Sequence, residues 1–165
     1  MRAGDLPVLW TLAVFPNIGA TADPSVPFPL PGAAEPPAEF PDLADPVGNF
    51  AGLGGRLLVA EVDGEIAAMG GYQPARDRPG RAQVVRVRVH PALRRRALGR
   101  RLMTAIEADA VARGFREAWL DTATNQPEAM AFYEGLGYQQ AGSEWRANWH
   151  WTLVYYRKDL PSGPV

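Results

Sequence analysis

The stretch that decides the fold spans residues 87–102 and reads VRVHPALRRRALGRRL. Before Pro91, apolar and polar residues alternate, which predicts a strand over residues 83–90 with Val85, Val87 and Val89 on one face and Arg86, Arg88 and His90 on the other. Beyond the arginines, apolar residues recur every four positions, as an amphipathic helix requires, at Leu98, Leu102, Ile106 and Ala110. A strand, a tight basic turn and a helix therefore follow one another directly.

The turn has the features of an anion site. The first N–H groups of a helix lack intrahelical partners and carry partial positive charge, so a phosphate bound there satisfies both. Gly99 lets a ligand approach the backbone, and five arginines crowd into eight positions: Arg94, Arg95, Arg96, Arg100 and Arg101. The alternative is a helix start with a solvated basic face. Neither the dinucleotide glycine motif nor the P-loop motif is present, which argues against nicotinamide and nucleoside triphosphates.

The flanking sequence supplies the other elements. Residues 57–62 and 65–72 predict two strands joined by a hairpin at Asp63-Gly64. Residues 118–121 predict a short strand, and a helix follows, with Asn125 as its cap and Gly137 as its end. The last two strands are expected from Tyr138 onward and over residues 149–157.

The N-terminal part is less regular. Residues 1–15 predict a helix that Asp5 caps and Pro16 ends, which we favour over a secretion leader. Residues 16–55 are rich in proline and glycine and predict a lid or a flexible insert, with a short helix near residues 43–50.

Composition narrows the class of protein. The 165 residues, 47% of them hydrophobic, suit one domain over residues 1–165, with a core at residues 56–158. The chain has no cysteine and two histidines, which excludes disulfides and argues against a metal site. A net charge of -1 argues against a nucleic-acid partner, and the apolar run at residues 6–15 is too short to span a membrane.

Together these elements predict a single α+β domain. The antiparallel strands and the strand-helix-strand crossover give a central, mostly antiparallel twisted sheet of six to seven strands flanked by about four helices.

Two ordered motifs resemble those of the GNAT superfamily of acyl-CoA N-acyltransferases. Residues 94–99, RRRALG, match its Arg/Gln-x-x-Gly-x-Gly/Ala signature, except that Ala97 replaces a glycine. Residues 125–138, NQPEAMAFYEGLGY, are similar to its second signature. The replacement at Ala97 is mild if the backbone there is helical and costly if it needs positive φ.

The resemblance implies an acyl-CoA N-acyltransferase fold and a set of roles. The protein would transfer an acetyl group from acetyl-CoA, by direct attack in a ternary complex, to a primary amine of a small molecule, peptide or protein, in the cytoplasm and without a metal. Tyr133 would protonate the leaving thiolate, and Asn125 would orient the coenzyme. The main chain of Val87, Arg88 and Val89 would pair with the pantetheine arm, and the pyrophosphate would be held at Arg94, Arg95, Arg96, Ala97, Leu98, Gly99 and Arg100.

Several residues of the sequence suit more than one role. Gln83 lies where many relatives place a glutamate base, and the other candidates by residue type are Glu61, Asp121 and His150. Arg86 and Arg88 suit salt bridges on the sheet or attraction of an acidic group. Six aromatic residues suit an acceptor pocket, a homodimer interface or the core: Trp10, Phe15, Trp145, Trp149, Trp151 and Tyr155. The competing functions are a non-catalytic acyl-CoA sensor and an interaction module built on the proline-rich segment.

Overall fold

The structure is a computed structural model that describes residues 2–16 and 21–162. The helices are α1 (Leu6–Ala13), α2 (Pro46–Asn49), α3 (Leu98–Ala112) and α4 (Pro127–Gly135). The strands are β1 (Arg56–Val62), β2 (Glu65–Pro74), β3 (Arg81–Val89), β4 (Glu117–Ala123), β5 (Gln139–Glu144) and β6 (Leu153–Asp159). The predicted α+β class is confirmed.

The strands of the described residues form one sheet in the order β1-β2-β3-β4-β6-β5, in which only β3 and β4 run parallel. The hairpin between β1 and β2 turns at Asp63 and Gly64, whose φ angles of 53° and 81° confirm the predicted turn. The crossover from β3 to β4 runs through α3, as the alternation of strand and helix predicts.

Each face of the sheet carries its own core. On one face, α3 and α4 bury Leu102, Ile106 and Tyr133 against the central strands. Gly70 of β2 lies under α3, and a Cβ there would come within 2.9 Å of Ile106 Cδ1, so the bare backbone allows the helix to pack closely. On the other face, α1 and the proline-rich segment form a second core around Leu9 and Phe50.

The predicted alternation along β3 is wrong, because a β-bulge interrupts it. Gly71 pairs with Val85, but Met69 pairs with Arg88, so β3 holds one residue more than β2. The extra residue is Arg86, whose φ angle is 60°. Val85 consequently packs with the α1 core, while Val87 packs with the α3 core on the opposite face.

Three predicted boundaries also need correction. Asp5 caps no helix: its backbone is already helical, and its carboxylate accepts from the backbone N–H of Arg2 instead. Helix α1 ends at Ala13, before the prediction at Phe15, and β6 begins at Leu153 because residues 149–152 turn first.

The described part of the proline-rich segment, residues 21–55, lies against the α1 face of the sheet. Leu30, Leu43 and Phe50 are buried there, and short helical turns flank α2 near the predicted helix. The Ala33 N–H donates to the carbonyl of Pro7 at 2.8 Å, which fastens the segment to α1. Residues 17–20 lie outside the described residues, and the role of the segment as a lid stays a prediction. No helix among residues 2–16 and 21–162 is long and apolar enough to cross a bilayer.

Candidate active site

The turn between β3 and α3 presents a row of free backbone donors. Within the described chain, none of the backbone N–H groups from Arg95 to Arg100 donates a hydrogen bond to a backbone or side-chain acceptor. Helical hydrogen bonding begins with the Arg101 N–H, which donates to the Ala97 carbonyl at 3.0 Å. The side chains of Arg95, Arg96, Arg100 and Arg101 are exposed and form no described salt bridge. This concentration of N–H groups and positive charge fits a pyrophosphate.

The backbone reaches this arrangement through left-handed residues. Arg95 has φ 65° and Ala97 has φ 60°, and turns with left-handed residues form the concave arrays of N–H groups that bind anions. Ala97 therefore occupies the conformation in which the replacement of glycine is costly, because its Cβ crowds the neighbouring carbonyl oxygen.

We expect Ala97→Gly to stabilise the protein by about 1 kcal/mol, because relief of the left-handed strain exceeds the extra chain entropy of glycine. Urea unfolding measures the change. The control is Ala108→Gly, an exposed position inside α3, which we expect to destabilise by about 1 kcal/mol. An equal loss of stability in both variants would show that the backbone at Ala97 is not strained.

Arg94 differs from the other arginines of the turn because its side chain points inward. It is buried, and its guanidinium donates to the carbonyl of Pro16 at 3.1 Å and to that of Thr21 at 3.4 Å. Burial lowers the pKa of Arg94, and the charge of Asp23 opposes this shift. Its side chain therefore fastens the N-terminal segment to the turn, and only its main chain lies with the free donors.

A cleft opens where β3 and β4 separate. The two strands pair only from Arg81 to Gln83 with Glu117 to Trp119, and the bulge at Arg86 then carries β3 away. The gap holds a cavity of about 140 Å³, roughly ten times the volume that one water needs. Its lining comes from both strands and from α4: Val84, Val85, Arg86, Val87, Arg88, Leu120, Asp121 and Tyr133.

Family membership follows from the sequence. The profile of the Acetyltransferase (GNAT) family matches residues 24–138. The chain belongs to the GNAT acetyltransferase family. It is 29% identical over 119 residues to N-acetyltransferase 8 of Homo sapiens, an alignment that covers 68% of this chain and 52% of that protein. The chain thus spans about half the length of the curated relatives it matches.

Solved GNAT structures share the fold. An acetyltransferase of the GNAT family from Staphylococcus aureus Mu50 superposes with a TM-score of 0.73 at 14% identity, covering 98% of this chain and 96% of that one. An aminoglycoside 6'-N-acetyltransferase complexed with coenzyme A gives a TM-score of 0.63 at 19% identity, covering 76% of this chain and 83% of that one.

Tyr133 of this GNAT chain reaches the cleft from the second turn of α4. Its ring packs edge-on against Phe132 and Tyr138, and among the described residues its hydroxyl has no hydrogen-bond partner. Burial raises the pKa of Tyr133, an effect that the charge of Arg88 opposes and that of Asp121 reinforces. The phenol is therefore protonated at neutral pH and free to donate a proton into the cleft.

The structure separates the candidate bases by position. Asp121 lines the cleft but is exposed to solvent, and partial desolvation raises its pKa against the nearby charge of Arg86. Glu61 is exposed on β1, beside Arg2, and His150 is exposed in the turn before β6. Gln83 lies where β3 still pairs with β4, outside the cleft lining. Among the described residues, no three histidine, aspartate or glutamate side chains cluster as a metal would require.

Asn125 lies in the exposed turn that follows β4, the strand that contributes Leu120 and Asp121 to the cleft. It does not cap α4, because the helix begins one residue later, with Gln126 in the cap position.

The aromatic residues that the sequence singled out lie in different parts of the structure. Trp10 donates to the Leu43 carbonyl at 2.8 Å, and Tyr155 stacks on Trp119, whereas Trp145 and Trp151 are exposed.

Proposed function

We propose that the protein is an acetyl-CoA-dependent N-acetyltransferase that acetylates a primary amine within a ternary complex, in the cytoplasm. The observation that carries this proposal is that the turn with free N–H donors at residues 95–100 follows β3 in the chain, and β3 lines the cleft. One extended ligand with a pyrophosphate and a reactive end would occupy both. Family membership supports acetyl-CoA as that ligand.

The free edge of β3 supports a place for the pantetheine arm. Beyond Gln83, β4 leaves the edge of β3 that faces it, so the main chain of Val87, Arg88 and Val89 lies beside the cleft without a described strand partner on that side. An arm with amide groups would add to this edge as a strand does. The N–H groups of Arg95 to Arg100 would then hold the pyrophosphate.

Two side chains of the cleft suit the proton transfers. Acetyl-CoA supplies an activated acyl carbon, at which a C–N bond to the amine forms as the C–S bond breaks. The Tyr133 hydroxyl would donate its proton to the departing thiolate sulfur, whose conjugate thiol has an ordinary pKa of about 8.5. Asp121 would first accept a proton from the ammonium group of the acceptor, directly or through water, and so release the free amine that attacks. Asn125, in the turn that follows β4, would orient the coenzyme.

The proposal is tested by calorimetric titration with acetyl-CoA. Arg100→Glu places a negative charge in the first turn of α3, where it favours the helix but repels phosphate. We expect acetyl-CoA to bind about 10-fold or more weakly to this variant, as loss of a charge-assisted hydrogen bond implies.

Arg76→Glu is the matched control for that titration. Arg76 is exposed in the loop before β3, at the opposite end of that strand, and makes no described salt bridge. The same change of charge there should leave the affinity unchanged. Equal losses in both variants, or no binding by the parent protein, would refute the assignment of the turn.

A further inference from the structure

Arg88 is a cation of the cleft without a carboxylate partner. The neighbouring Arg86 is neutralised by Asp42, with Nε 3.1 Å and Nη2 3.1 Å from its carboxylate oxygens. No carboxylate among residues 2–16 and 21–162 lies within salt-bridge distance of Arg88, although this side chain is also partly buried. A buried charge that lacks its counter-ion is costly, so such a group suits a site that an anion completes.

The guanidinium of Arg88 is held in place by neutral contacts. Nε donates to the Ala13 carbonyl at the end of α1 at 3.0 Å, and Nη1 donates to the Val87 carbonyl at 2.9 Å. The ring of Phe40 lies 5.5 Å below it. These contacts fix the plane of the fork, while N–H groups without a described acceptor are left at the cleft. Burial lowers the pKa of Arg88 to about 10, so it remains charged at neutral pH.

The side of the sheet on which Arg88 lies indicates which of the two substrates would supply its anionic partner. Arg88 contacts α1 and Phe40, which belong to the core opposite α3. The free donors and exposed arginines that suit the pyrophosphate lie at the start of α3. A second anion at Arg88 therefore fits the other substrate, the amine acceptor.

The cleft also holds the complementary charge. Asp121 on β4 and Arg88 on β3 line the same cavity, and no salt bridge joins them. Both charges act on the phenol of Tyr133. A ligand that places an ammonium group toward Asp121 and a carboxylate toward Arg88 would present its amine beside the proposed proton donor.

We propose that the acceptor is a small amino carboxylic acid whose carboxylate is bound by the guanidinium of Arg88. This inference rests on the proposed acetyltransferase function and names its acceptor class. A planar fork matches a carboxylate in a bidentate manner, which an uncharged amide cannot reproduce.

The test compares acids with their amides as acceptors. Leucine with leucinamide, glycine with glycinamide, and phenylalanine with phenylalaninamide are assayed by release of free thiol from acetyl-CoA. For at least one pair, we expect the ratio of kcat/KM for acid over amide to fall by about 10- to 100-fold in Arg88→Gln, as loss of a hydrogen bond between charged groups implies. Comparing the ratio between proteins cancels the different basicity of acid and amide.

Two further variants separate recognition from structure. Arg86→Gln removes the same charge two residues away, and we expect it to keep the ratio of the parent protein. Arg88→Lys keeps the charge but loses the fork, so its ratio should lie between those of the parent and Arg88→Gln. Urea unfolding of each variant shows whether loss of the contact with Ala13 disturbs the fold.

The outcomes are distinct. An unchanged ratio in Arg88→Gln would overturn the assignment, even if all rates fall together, because Arg88 would then serve the reaction or the fold and not the acceptor. Binding of acetyl-CoA without acetylation of either member of any pair would also overturn it. Failure to bind acetyl-CoA would refute the proposed function itself.

Discussion

Tyr133→Phe should lower kcat about 100-fold or more while leaving the affinity for acetyl-CoA unchanged, because general acid catalysis typically contributes at least that factor. The variant removes only the hydroxyl, and the described residues give that hydroxyl no hydrogen bond, so no buried partner is left unsatisfied. Thiol release measures kcat, and calorimetry measures binding of the coenzyme.

Tyr138→Phe is the matched control. Tyr138 packs against Tyr133 with ring centroids 5.8 Å apart and is also buried, but its hydroxyl donates to Glu107 at 3.0 Å and does not line the cleft. Removal of the Tyr138 hydroxyl should lower the free energy of unfolding by about 1 kcal/mol and leave kcat near that of the parent. Undiminished kcat in Tyr133→Phe would exclude the phenol as the proton donor, and a complete absence of activity in the parent would favour an acyl-CoA sensor.

Burial of Tyr133 also has a consequence for pH. Its pKa is raised above the ordinary value of about 10. Because the neutral phenol is the form that donates, the donor persists as the pH rises through that value. The alkaline side of the kcat profile should therefore show no loss from ionisation of Tyr133 below about pH 10.

Local signals in the sequence predicted most elements. The Asp63-Gly64 turn, the four-residue spacing of α3 and the glycine stop at Gly137 are decided by neighbours in the chain, and the structure reproduces them. The bulge at Arg86 has no such signal. Arginine has no preference for a positive φ, and the bulge arises from how β3 pairs with β2.

The candidate site likewise combines features that the local sequence predicts with features that depend on distant contacts. The turn at residues 94–100 and the α4 motif identify the family; the turn follows β3, which lines the cleft, and the motif supplies Tyr133 to its lining. The distinction between Arg86 and Arg88 was beyond the sequence, because the partner of Arg86 is Asp42, 44 residues away. The inward turn of Arg94 likewise depends on carbonyls of the N-terminal segment. Contacts between segments far apart in the sequence therefore determine which arginine side chains remain available to a ligand. No local sequence pattern predicts such contacts.

The closed end of the cleft depends on a buried ion pair. Arg81 and Glu117 are register partners where β3 and β4 pair, and their side chains, 8% and 10% exposed, form a salt bridge. Glu117 also approaches Arg78 at 3.9 Å and Arg157 at 3.8 Å. The pair thus clamps the strands at one end, while the bulge spreads them at the other.

Glu117→Leu should destabilise the protein by about 3–5 kcal/mol, because it leaves the cation of Arg81 buried without its main partner. The double variant Arg81→Met/Glu117→Leu should recover much of that loss, since apolar groups of similar size replace both charges. Arg146→Ala breaks the exposed pair with Glu144 and should cost at most about 1 kcal/mol. Urea unfolding gives all three values. If Glu117→Leu costs no more than Arg146→Ala, the strands are held by their backbone and packing alone, and the separation of β3 from β4 does not depend on this clamp.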